Sequence, residues 1–302
     1  MKKSTIQSVF FIFLTALVVS CSSKNEVKEN SSIYDATLAK PSIEWVKVRV
    51  SASKERLQKT EAGRLVWNAI EYHGGLSKWW NNGPLFFRFN YRPKPGTGTI
   101  RDTYETADYW NSKTRHQRAI DTGQEYGWSG SSAWLYPDTL QMPYNVRFWS
   151  LTPYYFAGIP FVFADEGINL SLEEDTEYDG KTYHIVRVTF GEGVGDAPDD
   201  YYVLYITPGT HRIAAIRYIV SFPGYFKNGG HTQEKLMTYE GEQTVNGIIF
   251  PEKHRTFMWE EDGSIGAYVT DITLSDVSFK PETKNEYFEI PLGSKVLSGL
   301  EE

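Results

Sequence analysis

Cysteine is all but missing from this 302-residue chain: Cys21 stands alone. No internal disulfide can form, so a hydrophobic core has to supply the stability. The chain is long enough for that, because a domain of this size buries about three quarters of its unfolded surface. Positive charge is also in deficit. Thirty-one Lys and Arg face 38 Asp and Glu, a formal net charge of −7, and without a basic patch to release counterions nucleic acid is excluded as a partner. Paired metal ligands are absent too. The six histidines, His73, His116, His184, His211, His231 and His254, form no His-x-x-x-His pair or other one-face spacing, so no metal site is read. No cofactor motif stands in the sequence either. Gly191-Glu-Gly193-Val-Gly195 lacks the following helix that a phosphate needs. Gly127-Trp128-Ser129-Gly130 is one residue short of a nucleophile elbow.

Long apolar runs are scarce. Val9 to Val19, broken only at Thr15, falls short of the about 20 residues that cross a bilayer. Lys2 and Lys3 precede it, and Val18-Val19-Ser20-Cys21 follows. This is the layout of a secretory signal, and its end matches the lipobox of bacterial lipoproteins. Residues 1–20 are therefore expected to be a leader, with Cys21 the acylated first residue of a chain anchored to a membrane by lipid rather than spanning it. Loss of Lys2 and Lys3 takes the net charge to −9. Residues 21–43 are expected to be the acylated end and a flexible tether, since Ser, Lys, Glu and Asn dominate 22 to about 40. Ser22-Ser23-Lys24-Asn25-Glu26 resembles a Ser-Lys-acidic surface-export signal; a plain solvated linker has the same composition. Residues 44–302 form one expected domain.

Within that domain the hydrophobic period changes once. Leu65, Val66, Ala69, Ile70 and His73 recur at spacings of three and four, which predicts a helix ending at Tyr72 or His73, with Gly74 at positive φ. Gly63 inside the pattern costs about 1 kcal/mol relative to Ala. Leu76 to Trp80 adds a further turn. Beyond them the period is two: Leu85, Phe87, Phe89, Tyr91; His184, Val186, Val188, Phe190; Arg255, Phe257, Trp259; Tyr268, Thr270, Ile272, Leu274. Tyr201–Ile206 is apolar on both sides, as a central covered strand should be. Asp179-Gly180, Pro208-Gly209, Asn246-Gly247 and Asp262-Gly263 supply hairpin turns. A broken rhythm from Leu274 to Val277 predicts a bulge. The segment Trp149–Phe163 holds six aromatics in fifteen residues. Pro153 is expected to start a short helix and Pro160 to end it, the whole filling or capping the hollow side of the sheet.

Ala69-Ile70-Glu71-Tyr72-His73-Gly74-Gly75, Arg147–Phe156 with Ile159-Pro160-Phe161, Leu204-Tyr205-Ile206, Ile213–Tyr218 and Gly247–Pro251 resemble an uncharacterised family of Bacteroidetes lipoproteins, over most of residues 60–295. More distantly, with Ile272–Phe279, Phe288 and Pro291, the plan is similar to the outer-membrane lipoprotein carrier and lipoprotein-sorting superfamily. That resemblance implies a mainly β (α+β) fold: a long antiparallel sheet curled into an open half-barrel, with an N-terminal helix and short helices over its concave face and an apolar cavity beneath them. The chain departs from a minimal carrier by being longer and itself anchored, which points to an acceptor or a stationary lipid-binding module.

Aromatics make up 15% of the chain, with nine Trp. They fit a large core and a lipid cavity equally. The candidate lining is Tyr154, Tyr155, Phe156 and Phe161, with Trp110, Trp128, Trp134 and Trp149 behind, and Arg88 or Arg147 to hold a head group. His73, at the helix end, is a further candidate for the ligand site and the residue that an envelope hydrolase would use, but is read first as bonding a final carbonyl of its own helix. His184 is read as a hydrogen-bonded core histidine. Asp196, Asp199 and Asp200 offer oxygen ligands of the kind calcium takes, at a spacing that fits no calcium loop. Glu173, Glu174 and Asp175 read as a solvated strand end. Three readings fit these features: an envelope lipoprotein at the outer membrane, on its periplasmic face or the cell surface, binding an acyl chain or other apolar small molecule; an envelope hydrolase; and a scaffold recruiting an envelope protein partner by strand addition. The residues favour the first, with no catalytic side chain assigned.

Overall fold

The computed structural model describes residues 34–300 except Pro198. The expected leader, Cys21 and most of the expected tether lie outside the described residues. The chain divides into two units, Met1–Tyr34 and Asp35–Glu302, and all the described helices and strands belong to the second.

The described end of the expected tether is packed down. Leu38 bridges Lys284, the Ala39 N–H donates to the Thr283 carbonyl at 2.8 Å, and both Leu38 and Ala39 are buried. Helix α1 (Ile43–Leu57) comes directly after. It has no counterpart in the periodicity reading, because Ile43, Val46, Val48 and Val50 are β-branched and form no clear stripe. Capping and tertiary contact make it a helix. The Ser42 hydroxyl accepts from the Trp45 N–H, and Ser53 donates from inside the helix to the Ala164 carbonyl. Helix α2 (Glu61–Tyr72) begins at Thr60, whose hydroxyl accepts from the Gly63 N–H, and ends at His73 with Gly74 at φ 122°, as the pattern predicts. Gly63 has a packing reason. A Cβ there would stand 2.1 Å from the Leu57 carbonyl oxygen, where α1 turns into α2. Helix α3 (Leu76–Asn81) is the expected extra turn.

The sheet then runs almost to the C-terminus. Its first five strands are β1 (Leu85–Pro93), β2 (Arg101–Asp108), β3 (Lys113–Arg118), β4 (Asp121–Trp128) and β5 (Ala133–Tyr136). Helix α4 (Val146–Gly158) and a 3₁₀ turn (Phe161–Ala164) interrupt them. After these come β6 (Ile168–Tyr178), β7 (Lys181–Phe190), β8 (Tyr201–Ile206), β9 (Ile213–Tyr218) and β10 (Lys235–Thr238). A small hairpin, β11 (Gln243–Val245) and β12 (Ile248–Phe250), stands apart. The set closes with β13 (Lys253–Trp259), β14 (Ile265–Phe279) and β15 (Lys295–Leu297). Thirteen strands pair antiparallel in the order β15-β5-β4-β3-β2-β1-β14-β13-β10-β9-β8-β7-β6, with no bond joining the two ends. The sheet is an open half-barrel, and the main core lies between its inner face and the helices.

Most of the strand reading holds. Tyr202–Ile206 of β8 are buried on both faces, and the register of β1 on β14 slips between Phe86 and Arg88, opposite Asp276 at φ 56°. Two positions differ. His184 is half-exposed, with Nδ1 3.1 Å from Asp175, because the inner cover stops short of this end of β7. On β13 the buried side is His254 and Thr256, not Phe257 and Trp259. His254 is tolerated there because Nδ1 donates to the Thr238 carbonyl at 3.1 Å. Helix α4 also starts seven residues earlier than Pro153 suggests. The Asn145 side chain caps it by accepting from the Phe148 N–H at 2.8 Å, and Pro153 sits inside, giving up one rung. Side chains from the sheet clamp the carbonyls around that gap. Thr114 Oγ1 and His116 Nε2 donate to Ser150 at 2.8 and 3.0 Å, and the Tyr109 hydroxyl to Tyr154 at 2.6 Å.

Candidate ligand cavity

Between α4 and the inner face of β7–β9 lies a cleft of about 460 Å³. That is inside the range of about 300–1,000 Å³ usual for small-molecule sites. Helix α4 supplies one wall through Phe148, Leu151, Tyr155 and Phe156; β7, β8 and β9 supply the other through Phe190, Tyr202 and Tyr218. Ile168, Val194, Val220 and Phe222 close the ends. The aromatics are ordered against one another. Tyr155 stacks on Tyr202 with centroids 5.4 Å apart, and Tyr202 on Tyr218 at 6.1 Å. Burial pushes the hydroxyls of Tyr155 and Tyr202 well above their ordinary pKa.

Polar groups gather on one side. Arg147 lies over the Trp128 ring at 3.5 Å, is ion-paired with Asp196, and keeps one guanidinium nitrogen, Nη1, buried without a partner. Asp200 accepts from the Ser221 N–H at 2.5 Å and hydroxyl at 2.8 Å, and burial raises its pKa. Asp165 holds Arg49 at 2.7 Å. Two of the three loop acids, Asp196 and Asp200, are thus bonded to protein partners, and among the described residues no group of three or more His, Cys, Asp or Glu is arranged to hold a metal ion.

Of the residues singled out in the sequence, Trp128, Arg147, Tyr154, Tyr155 and Phe156 meet at this cleft. The others lie elsewhere. Phe161 is stacked on Trp79 at 4.3 Å inside the core. Trp149 faces β1 and β2, edge-on to Tyr91 at 5.0 Å. Trp134 is fully buried against Gly127, where a Cβ would sit 2.9 Å from the indole. Trp110 packs edge-on to Trp45 at 6.3 Å. Arg88 is on the outer face, bonded to Asp102 at 2.7 and 2.8 Å. His73 is buried, and Nδ1 donates to the carbonyl of Ile249 at 3.0 Å rather than to its own helix; the Ile213 N–H approaches Nε2 at 3.5 Å. It staples α2 to β12 and β9, and burial lowers its pKa. The sequence reading missed Phe190, Tyr202 and Tyr218. Each occupies an inward position of its strand, a signal that period-two alternation carries without saying which strands face α4.

No protein-family model matches the sequence, and no curated protein matches it either. The folded class is the open antiparallel half-barrel with helices on its hollow side. Within that class the fold is LolA-like. A LolA-superfamily protein from Nitrosomonas europaea superposes with a TM-score of 0.51 at 13% identity, over 76% of this chain and 98% of that one. A DUF1329-family protein from Desulfovibrio piger gives 0.47 at 13% identity, over 81% and 97%. A putative outer-membrane lipoprotein-sorting domain from Vibrio parahaemolyticus gives 0.43 at 11%, over 82% and 97%. At such identities the likeness is one of fold.

Proposed function

We propose that this chain is a lipid-handling protein of the cell envelope that holds an acyl chain or another apolar ligand between α4 and β7–β9. The observation that carries the reading is the 460 Å³ cleft, lined by Leu151, Phe156, Phe190 and Tyr202 in a chain otherwise rich in polar residues. An unfilled apolar hollow forfeits contacts on every wall, so a ligand has a reason to enter. The LolA-like fold adds support. In the same reading Cys21 carries the lipid that tethers the protein to the outer membrane, and Arg147 contributes a hydrogen-bond donor beside the cleft. The hydrolase reading loses its support: His73, its named candidate, has Nδ1 bonded inside the core. Organic extraction of protein purified without its anchor, followed by mass spectrometry, is expected to release an amphiphile. An apolar fluorophore should bind one-to-one and be displaced by long-chain lipids. An empty extract together with no fluorophore uptake would remove the binding reading.

A further inference from the structure

The inner face of the sheet holds a second arrangement, away from the cleft lining. On β2 and β3 this face is marked by buried Thr103, Glu105, Thr114 and His116. Thr103 pairs with Arg118 across the two strands, and Arg101 stands two residues from Thr103. Arg101 and Arg118 are therefore diagonal neighbours on one face, a separation of about 7–8 Å. On the outer face Arg88 has Asp102 at 2.7 Å and Arg115 has Glu125 at 2.5 Å. Among the described residues neither Arg101 nor Arg118 is ion-paired with a carboxylate. Arg101 donates once, to the Thr99 carbonyl at 2.9 Å, and its Nε is buried without a partner. Its guanidinium lies 3.9 Å from the centroid of Trp149 and 5.0 Å from those of Tyr91 and Tyr144. Arg118 donates to the Gln124 side-chain carbonyl. Burial raises the Tyr144 hydroxyl pKa, and a hydrogen bond with Tyr126 and the charges of Arg118 and Arg101 pull it back. On the same face Glu105 is fully buried, and burial raises its pKa well above the ordinary carboxyl value. Asp121, opposite Arg118 in the strand register, accepts from the Gly123 N–H and the Gln124 amide and makes no ion pair with either arginine.

Like charges set beside one another on a sheet destabilise it, and stacking on aromatic rings offsets only part of the desolvation. An anion between the two charges would relieve both costs. We propose that Arg101 and Arg118 form a binding site for an oxyanion, a phosphate or carboxylate group, gripped between the two guanidinium groups and fenced by Tyr91, Tyr144 and Trp149. Planar guanidinium forks match both kinds of group. Both arginines are only partly buried, so the anion enters from solvent. The site stands independently of the cleft, but Phe148 joins them. Its ring lies 5.7 Å from Trp149 and also lines the cleft.

The test titrates the whole chain with inorganic phosphate, decyl phosphate and decanol, followed by calorimetry and tryptophan fluorescence, in parent, Arg101→Gln, Arg118→Gln and the exposed control Lys47→Gln. Both anions should bind saturably. Each arginine substitution should weaken them at least tenfold, and the lysine control should leave them unchanged. Decyl phosphate more than tenfold tighter than phosphate identifies a lipid head group; equal affinities identify a free anion. In anion-free buffer Arg118→Gln should melt no lower than the parent, because it removes repulsion. Arg118 lies outside the aromatic stack, so it carries the test if Arg101→Gln does not fold. Absence of binding by both anions, affinities indifferent to both substitutions, or an Arg118→Gln variant that melts several degrees lower without anion would each overturn the proposal.

Discussion

Glu105 and three buried histidines couple the stability of this fold to pH in opposite directions. Glu105 is fully buried, and neither of its carboxyl oxygens has a hydrogen-bond partner. Burial therefore raises its pKa well above that of a free carboxyl. Below about pH 4.3, the unfolded value, it is protonated in both states and has no effect on stability. As pH rises past that point the unfolded chain ionises first, and stability is lost until the folded pKa is reached. A tenfold difference in proton affinity between the two states amounts to about 1.4 kcal/mol, or about 2–4 °C in Tm for a domain somewhat smaller than this. Glu105→Gln should flatten the decline of Tm from pH 5 to pH 9 by several degrees, measured by thermal melts; an unchanged slope would show that the carboxyl is not held neutral. The histidines act in the opposite direction. Burial lowers His116 to about 3, His254 to about 4, and His73 below its usual value. Their contribution is complete above about pH 6.5 and is lost as pH falls toward 4, because the unfolded chain then binds protons that the fold refuses. Melting between pH 7 and pH 4 should show a loss of a few kcal/mol with proton uptake on unfolding, and a flat profile would contradict the burial of these rings.

At the scale of elements, packing decides what propensity leaves open. Gly63 lies in the first turn of α2, and within a helix Ala is ordinarily better by about 1 kcal/mol. Its missing Cβ is what lets α2 start against the Leu57 carbonyl, 2.1 Å from where that Cβ would be. Gly63→Ala should therefore destabilise by about 1–3 kcal/mol, read as a lower urea midpoint at unchanged m-value. A gain in stability would mean the helix start relaxes freely. The same contrast explains what is legible in the sequence. Helix α2 is visible because Leu65, Val66, Ala69 and Ile70 make one stripe, and β1 and β8 because their patterns are clean. Helix α1 is not, since its evidence lies in a capping serine and in contacts with residues a hundred positions away. Pro153 misplaces the start of α4 for a related reason: the signal that outweighs it, Asn145 accepting from Phe148, is a single side chain. Of the cleft, the half carried by α4 is readable from aromatic density. The half carried by Phe190, Tyr202 and Tyr218 needs the pairing of β7, β8 and β9, and alternation does not encode pairing.

For the whole molecule, the decisive property is that the sheet never closes. Its inner face is covered by separate helices rather than by the sheet itself, and a cleft remains between α4 and β7–β9. An unclosed sheet also has ends. One of them is β6, whose outward rim of N–H and C=O groups faces no strand. A register break between Glu173 and Thr176 interrupts it, and Glu174, Asp175 and Glu177 stand exposed along it. Mutual repulsion between carboxylates is what keeps two such rims apart. Replacing Glu174 and Asp175 by serine should therefore let these rims pair at neutral pH, visible as a rise in scattered light with the strand signal retained; unchanged scattering would show that the rim is kept apart by something else. The acids read in the sequence as solvated ends are placed where they would guard the rim against polymerisation, and it is the openness of the sheet that calls for such a guard.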